Sequence, residues 1–170
     1  MSSTARQSWT DTWMAVAVVV GHRSRCDRAK VGAVVVGPNQ RIVSTGYNGP
    51  PAGFLRRNSG QGGHVSVHIE GPCVNWCERA ASGQATRDYH NCPAVHAEVN
   101  ALIYADRRLY EGGSIYVTSP ICFDCAKIVA NSGLKNVVWM DDKIAGHRLP
   151  EESLAMLMDS GLYVTKYGTK

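Results

Sequence analysis

The sequence has no long hydrophobic run. Its longest apolar stretch, Met14 to Val20, falls far short of the roughly 20 residues that a membrane-crossing helix needs. Basic residues are scarce at the start too, where Arg6 precedes the first apolar segment alone, so the pattern of a secretory leader is lacking. The expectation is a cytoplasmic protein without membrane contact. Charge of one sign is also in short supply: 18 basic residues against 14 acidic ones leave a formal net charge of +4. That excess is too small for an extended polyanion-binding groove, and a charged fraction of 19% is too low for a disordered chain. What basic density exists is local, at Arg23, Arg25, Arg28 and Lys30, at Arg56 and Arg57, and at Arg107 and Arg108. Each cluster suits a single phosphate or a solvated face.

At 170 residues the chain suits one compact core, and one domain spanning 1–170 is predicted. Apolar residues near helical spacing predict a helix over Ser8–Gly21, its stripe including Trp9 and Trp13. Two β-branched runs, Val31–Val36 and Arg41–Tyr47, flank Gly37-Pro38-Asn39-Gln40 and read as a hairpin. From about 49 to 92 periodicity fails: Pro50, Pro51 and glycines at 53, 60, 62, 63 and 71 predict an irregular insertion. Beyond it the pattern predicts a helix over Ala94–Leu109, a strand over Ser114–Thr118 and a helix over Cys122–Asn131 closed by Ser132-Gly133. A strand over Val137–Met140, a helix over Pro150–Met158 and a strand over Leu162–Tyr167 complete the order. The result is an α/β protein with a five-stranded sheet covered by helices, its strands parallel where helices cross over. Trp9, Trp13 and Trp139 are expected in the core, Trp76 falls in the insertion, and His22, His64, His68 and His147 are read as ordinary surface or core histidines.

Six cysteines without an export signal are better read as metal-binding thiolates than as a disulfide framework. The central constellation is His96-Ala97-Glu98 at one predicted helix start and Cys122-Phe123-Asp124-Cys125 at the next. Cysteines three apart at a helix start share a face, and the backbone N–H groups there favour thiolates. With His96 they make three ligands for one Zn²⁺ and leave the fourth tetrahedral position to water, the arrangement of a catalytic zinc that brings the water's pKa toward neutrality. Glu98 stands where a proton shuttle is needed without having to bind the metal.

Either half alone is a weak signal, but the conjunction is specific, and here the chain resembles the deoxycytidylate (dCMP) deaminase branch of the cytidine-deaminase superfamily. The likeness covers most of the length: Arg25-Cys26, Val31-Gly32-Ala33-Val34-Val35, Ser44-Thr45-Gly46-Tyr47-Asn48-Gly49-Pro50-Pro51-Ala52-Gly53, His96-Ala97-Glu98-Val99-Asn100-Ala101-Leu102, Cys125-Ala126-Lys127 and Ser132-Gly133-Leu134-Lys135. The resemblance implies a cytidine-deaminase-like three-layer fold with a mixed sheet, and hydrolytic deamination of dCMP, or of a C5-substituted dCMP, to dUMP and ammonia. It implies His96, Cys122 and Cys125 as zinc ligands, Glu98 as the acid–base group, Asn48 on the sugar or base, and the Ala97 backbone near the pyrimidine. Val31 and Ser119 complete the candidate substrate contacts. Homo-oligomerisation, with Tyr104, Arg107 and Arg108 as a candidate contact, and dCTP or dTTP effectors with Mg²⁺ are further implications. The chain departs from the family's usual pattern at Ile121, where proline normally precedes the first cysteine of the pair and here stands one earlier as Pro120, and at Ile144, where an aromatic is usual after the Asp142-Lys143 position.

Cys73, Cys77, His90 and Cys92 of the insertion, with Cys26, could tie the loop down. Related deaminases often hold a structural zinc there, and Cys26, Cys77 and Cys92 with Cys73 or His90 are the candidate ligands for a second Zn²⁺. Alternatives to the mononucleotide reading are a nucleic-acid cytosine or adenosine deaminase, which needs a basic and aromatic groove, and a non-catalytic zinc-stabilised binding module, in which Glu98 has no use.

Overall fold

The structure, a computed structural model, describes residues 6–26, 28–51, 92–140 and 150–168. Helix α1 spans Trp9–Gly21, strands β1 and β2 span Gly32–Val36 and Ile42–Tyr47, and helices α2 and α3 span Ala97–Ile103 and Arg107–Tyr110. Strand β3 (Ser114–Val117), helix α4 (Phe123–Ala130), strand β4 (Asn136–Trp139), helix α5 (Pro150–Asp159) and strand β5 (Tyr163–Lys166) follow. The sheet has five strands in the order β2-β1-β3-β4-β5. Its β1 strand is antiparallel to both β2 and β3, whereas β3, β4 and β5 run parallel. The parallel steps are those bridged by α4 and α5, because a strand can rejoin its neighbour in the same direction only through a crossover.

The period-2 alternation of the central strands divides the core into two clusters. Val34 and Val36 of β1, Tyr116 of β3 and Val138 of β4 meet Trp13, Met14 and Ala17 of α1 on one face. Ala33, Val35, Ile115, Val117 and Val137 face the other way, against Ala97 and Ala101 of α2, Cys125, Ala126 and Val129 of α4, and Leu157 of α5. The architecture is therefore three-layered, with β1 buried along its whole length. Each fully buried Val, Ile or Leu contributes about 1.5–3 kcal/mol through its removal from water.

The hairpin forms as predicted. Gln40 takes φ 59° at the turn, and Gly37 and Arg41 close it with a 2.9 Å hydrogen bond. Two expectations are corrected. The helix predicted over Ala94–Leu109 is two helices, because Asp106 caps α3 by accepting from the Arg108 amide at 3.0 Å, and because Val95, preceding α2, pairs with Gly49 as an isolated antiparallel bridge. Trp9 is not core: it is 51% exposed and stacks on Trp13 with ring centroids 5.1 Å apart, one turn before the stripe reaches the sheet. Trp13 and Trp139 are buried, as predicted. Residues 52–91 and 141–149, which contain most of the predicted insertion, Arg56, Arg57, Trp76, His64, His68, His147 and the Asp142-Lys143-Ile144 segment, lie outside the described residues.

Candidate metal centre

Both parts of the centre are built at helix starts. Strand β3 ends at Val117, and Thr118 prolongs its pairing by accepting the Gly32 amide at its hydroxyl (3.0 Å) and donating its own amide to the Gly32 carbonyl (3.0 Å). Buried Ser119 and Ile121 then lead to Cys122, which occupies the N-cap of α4 with extended dihedrals. His96 is likewise the N-cap of α2. An N-cap normally carries Ser, Thr, Asp or Asn, whose oxygen bonds a first-turn amide. Neither His96 nor Cys122 makes such a side-chain cap bond, so two favourable capping positions are given to side chains that point elsewhere.

They point at each other. The sulfurs of Cys122 and Cys125 each lie 3.3 Å from His96 Nδ1, and the three donor atoms fall within 4.8 Å of one another. For tetrahedral zinc with bonds of about 2.3 Å to sulfur and about 2.0 Å to nitrogen, sulfur and nitrogen are separated by roughly 3.5 Å, so the observed spacing fits such an ion closely. Two soft thiolates and an imidazole are donors that suit zinc and not magnesium or calcium. The Cys122 thiol is pulled down from 9.0 to about 4, first by the hydrogen bond from Cys125 and then by the hydrogen bond and charge of His96, against the opposing effect of burial. That shift favours the thiolate, the form a metal binds.

Glu98 stands in the first turn of α2, two residues past His96, and is 1% exposed. It is not one of the three clustered donors. A carboxylate so deeply buried is costly, and the helix N-terminus offsets part of that cost. Ala97 beside it is wholly buried.

The predicted substrate contacts lie along the strand ends on this side of the sheet. The carboxamide of Asn48, immediately after β2, accepts the Val31 amide at Oδ1 (2.9 Å) and donates from Nδ2 to the Ala29 carbonyl (2.9 Å). Its main chain donates to Val31 O at 3.2 Å and accepts the Ser24 hydroxyl at 2.8 Å. One Nδ2 proton and one Oδ1 lone pair are left over from these bonds. Val31 and Ser119 are buried, at 1% and 2% exposure. Sequence reasoning set Gly46 and Asn100 within family-like motifs but gave them no role, and it passed over Ser24; all three tie these strand ends together. The one available signal was the spacing of Asn100, one helical turn after His96.

Of the second candidate metal group, Cys26 is buried and Cys92 half-buried, while Cys73, Cys77 and His90 lie outside the described residues. Arg23, Arg25 and Lys30 are exposed in the loop that Ser24 anchors. Arg107 and Arg108 pair with Glu111 and Asp106 at 3.2 and 2.8 Å, so that cluster's charge is partly engaged locally. No helix among the described residues is long and apolar enough to cross a membrane.

Two cysteines and a histidine that meet at one point in a three-layer α/β fold, with a buried carboxylate two residues past the histidine, match the class of metal-centred hydrolytic sites in which three protein ligands leave a position open. Comparison with known proteins narrows this. The family described as cytidine and deoxycytidylate deaminase zinc-binding region matches residues 7–141. A deoxycytidylate deaminase of Mycobacterium phage D29 is 40% identical over 141 residues, covering 79% of this chain and 96% of its own length. That of Enterobacteria phage T4 is 36% identical over 148 residues, covering 76% of each chain. Among solved structures, the dCMP deaminase of cyanophage S-TIM5 in complex with dCMP and dUMP superposes with a TM-score of 0.63 at 27% identity, over 92% of this chain and 94% of the other. The chain belongs to the cytidine and deoxycytidylate deaminase family, and it is a deaminase.

Proposed function

We propose that the protein converts dCMP and water to dUMP and ammonia. The observation that carries this reading is the meeting of His96, Cys122 and Cys125 at one point with Glu98 buried in the same helical turn as His96. His96 Nδ1 and the two sulfurs would hold one Zn²⁺, which when bound activates water at neutral pH. Glu98 takes a proton from the attacking water and delivers it to N3 of the cytosine as oxygen adds to C4. It then passes the second proton to the C4 amino group, which departs as ammonia when the C4 carbonyl forms. Water's oxygen and two protons are thereby accounted for in dUMP and ammonia.

Asn48, Val31, Ala97 and Ser119 would bind and orient the nucleotide. Support comes from their placement: two hydrogen bonds hold Asn48 to Val31, which suits it to orienting a ligand. The exposed Arg23, Arg25 and Lys30 beside it suit the 5′-phosphate. A second, structural Zn²⁺ on Cys26, Cys77 and Cys92 with Cys73 or His90 belongs to the same proposal, as do homo-oligomerisation, dCTP or dTTP effectors with Mg²⁺, a cytoplasmic location and a place in pyrimidine deoxynucleotide synthesis. Exposed Ile103, Tyr104 and Leu109 are compatible with a subunit contact.

The test is ammonia release by protein of measured zinc content with dCMP, 5-methyl-dCMP, 5-hydroxymethyl-dCMP, deoxycytidine, dCTP and a cytosine-containing oligonucleotide. Turnover of monophosphates alone is expected, and the C5-substituted pair reports the base preference. Activity confined to the oligonucleotide overturns the proposal.

A further inference from the structure

Three contacts draw the first turn of α2 onto the end of β2. Gly46 presents no side chain to the helix: a Cβ there would stand 2.3 Å from the Ala97 carbonyl oxygen and 2.4 Å from the Ala101 nitrogen. Gly49 and Val95 exchange backbone hydrogen bonds of 3.1 and 2.8 Å just before His96. The third contact is the Asn100 carboxamide, which donates from Nδ2 to the Tyr47 carbonyl at 2.8 Å.

Asn100 is bonded in two directions. Its backbone amide donates to the His96 carbonyl at 3.0 Å, the first rung of the helix, and its side chain grips the residue that precedes Asn48. Asn48 in turn holds Ala29 and Val31. A continuous hydrogen-bonded path therefore runs from the metal-ligand residue to the strand ends that would bind the nucleotide, and Asn100 is the one side chain in it that crosses between helix and sheet.

We propose that Asn100 is a positioning residue, whose hydrogen bond to Tyr47 holds the His96- and Glu98-bearing turn in register with Asn48. The proposal rests on the dCMP deaminase reading. The carboxamide touches neither the metal nor the reacting atoms; it sets the separation between the proton shuttle and the group that anchors the substrate. Misplacement of a catalytic group by about 1 Å is enough to cost roughly a hundredfold in rate, so a bond that fixes this separation should be visible in turnover. Asn48 keeps its own bonds when Asn100 is changed, so substrate affinity should be spared.

Asn100→Asp keeps the shape and removes the donor, and a carboxylate in a helix's first turn is tolerated by the helix dipole. Asn100→Ala removes the side chain. Both are measured as zinc-loaded protein for metal content, melting temperature, kcat and KM with dCMP. Gly113→Ala is the comparison: its Cβ would meet the Val36 carbonyl oxygen at 2.2 Å, a similar clash at the opposite end of β3 from the metal ligands. The expected result is full zinc occupancy with kcat reduced roughly ten- to a hundredfold in both Asn100 variants and KM within about twofold, against a lowered melting temperature and unaltered kcat in Gly113→Ala. Asn100 variants that lose melting temperature but keep kcat overturn the proposal. If a variant does not fold, the native enzyme decides: the Asn100 side-chain protons should exchange with solvent more slowly when dUMP is added, and unslowed exchange overturns it. A wild type that deaminates no nucleotide refutes the parent reading instead, and is recognised before any variant is compared.

Discussion

Replacing Gly46 by alanine adds one methyl group where α2 packs tightly on the sheet. That methyl would lie 2.3 Å from the Ala97 carbonyl oxygen and 2.4 Å from the Ala101 nitrogen, where ordinary contact begins at 3.4 Å. Both obstacles are backbone, and a methyl has no rotamer with which to evade them, so the helix must retreat by about 1 Å. Overpacking of this kind costs about 1–3 kcal/mol, while the stiffer unfolded chain returns about 0.4–1 kcal/mol. The net loss of up to about 2.6 kcal/mol, at roughly 2–4 °C per kcal/mol for a chain of this size, lowers the melting temperature by up to about 10 °C. Because the retreating turn carries His96 and Glu98, turnover should fall too, by up to about a hundredfold for a displacement of this size. Differential scanning calorimetry of zinc-loaded Gly46→Ala, with kcat measured at 25 °C on the same sample, tests both consequences. A melting temperature at or above wild type with undiminished kcat would refute the claim that α2 bears directly on β2 at this glycine.

Removing zinc with a chelator should abolish turnover and readdition restore it, and His96→Ala should lower zinc content below one equivalent per catalytic site by elemental analysis; full activity in zinc-free protein would contradict the assignment. Leu157→Ala, at a fully buried position of α5, should cost about 2–5 kcal/mol and lower the melting temperature by about 4–20 °C. Tyr167 donates its hydroxyl to Asp11 at 2.9 Å, joining the chain after β5 to the first turn of α1. The Asp11 carboxyl is lowered below its ordinary 3.8, chiefly by hydrogen bonds from Ser8 and then Tyr167, and the Tyr167 phenol is raised above 10.0, chiefly by the bond to Asp11. A depressed carboxyl stabilises the fold above its unfolded pKa and loses that effect as pH falls through its folded value. A raised phenol stabilises below its unfolded pKa and loses the effect as pH rises through its folded value. The melting-temperature gap between wild type and Tyr167→Phe should therefore be widest between about pH 4 and pH 10 and close at either extreme, and a gap independent of pH would contradict the bond.

Much of this architecture is legible in the sequence because the informative patterns are local. The β-branched runs around Gly37-Pro38-Asn39-Gln40 contain the hairpin, and the period-2 alternation that sends Val34 and Val36 toward α1 and Ala33 and Val35 toward α2 and α4 follows from strand geometry alone. The three donors were legible because thiolates at a helix start and a histidine with a nearby glutamate are recognisable by spacing. The break between α2 and α3 was not, since Ala94–Leu109 has continuous helical character and the interruption depends on Asp106 capping a new turn and Val95 being recruited to pair with Gly49. Trp9 shares a helical stripe with Trp13, but periodicity does not reveal where the sheet beneath the stripe ends. The roles of Gly46 and Asn100 depend on contacts between segments about 50 residues apart, such as Asn100 with Tyr47; the spacing of Asn100 one turn after His96 shows its helix face but not that partner.

The most direct test of the central claim compares wild type with Glu98→Gln, both carrying measured zinc, for ammonia release from dCMP. The substituted carboxamide would keep the shape of the side chain but could not accept a proton, so zinc content should be unchanged while kcat falls by roughly 10²–10⁴. Turnover of dCMP by Glu98→Gln at the wild-type rate would contradict the assignment of Glu98 as proton shuttle and, with it, the mechanism.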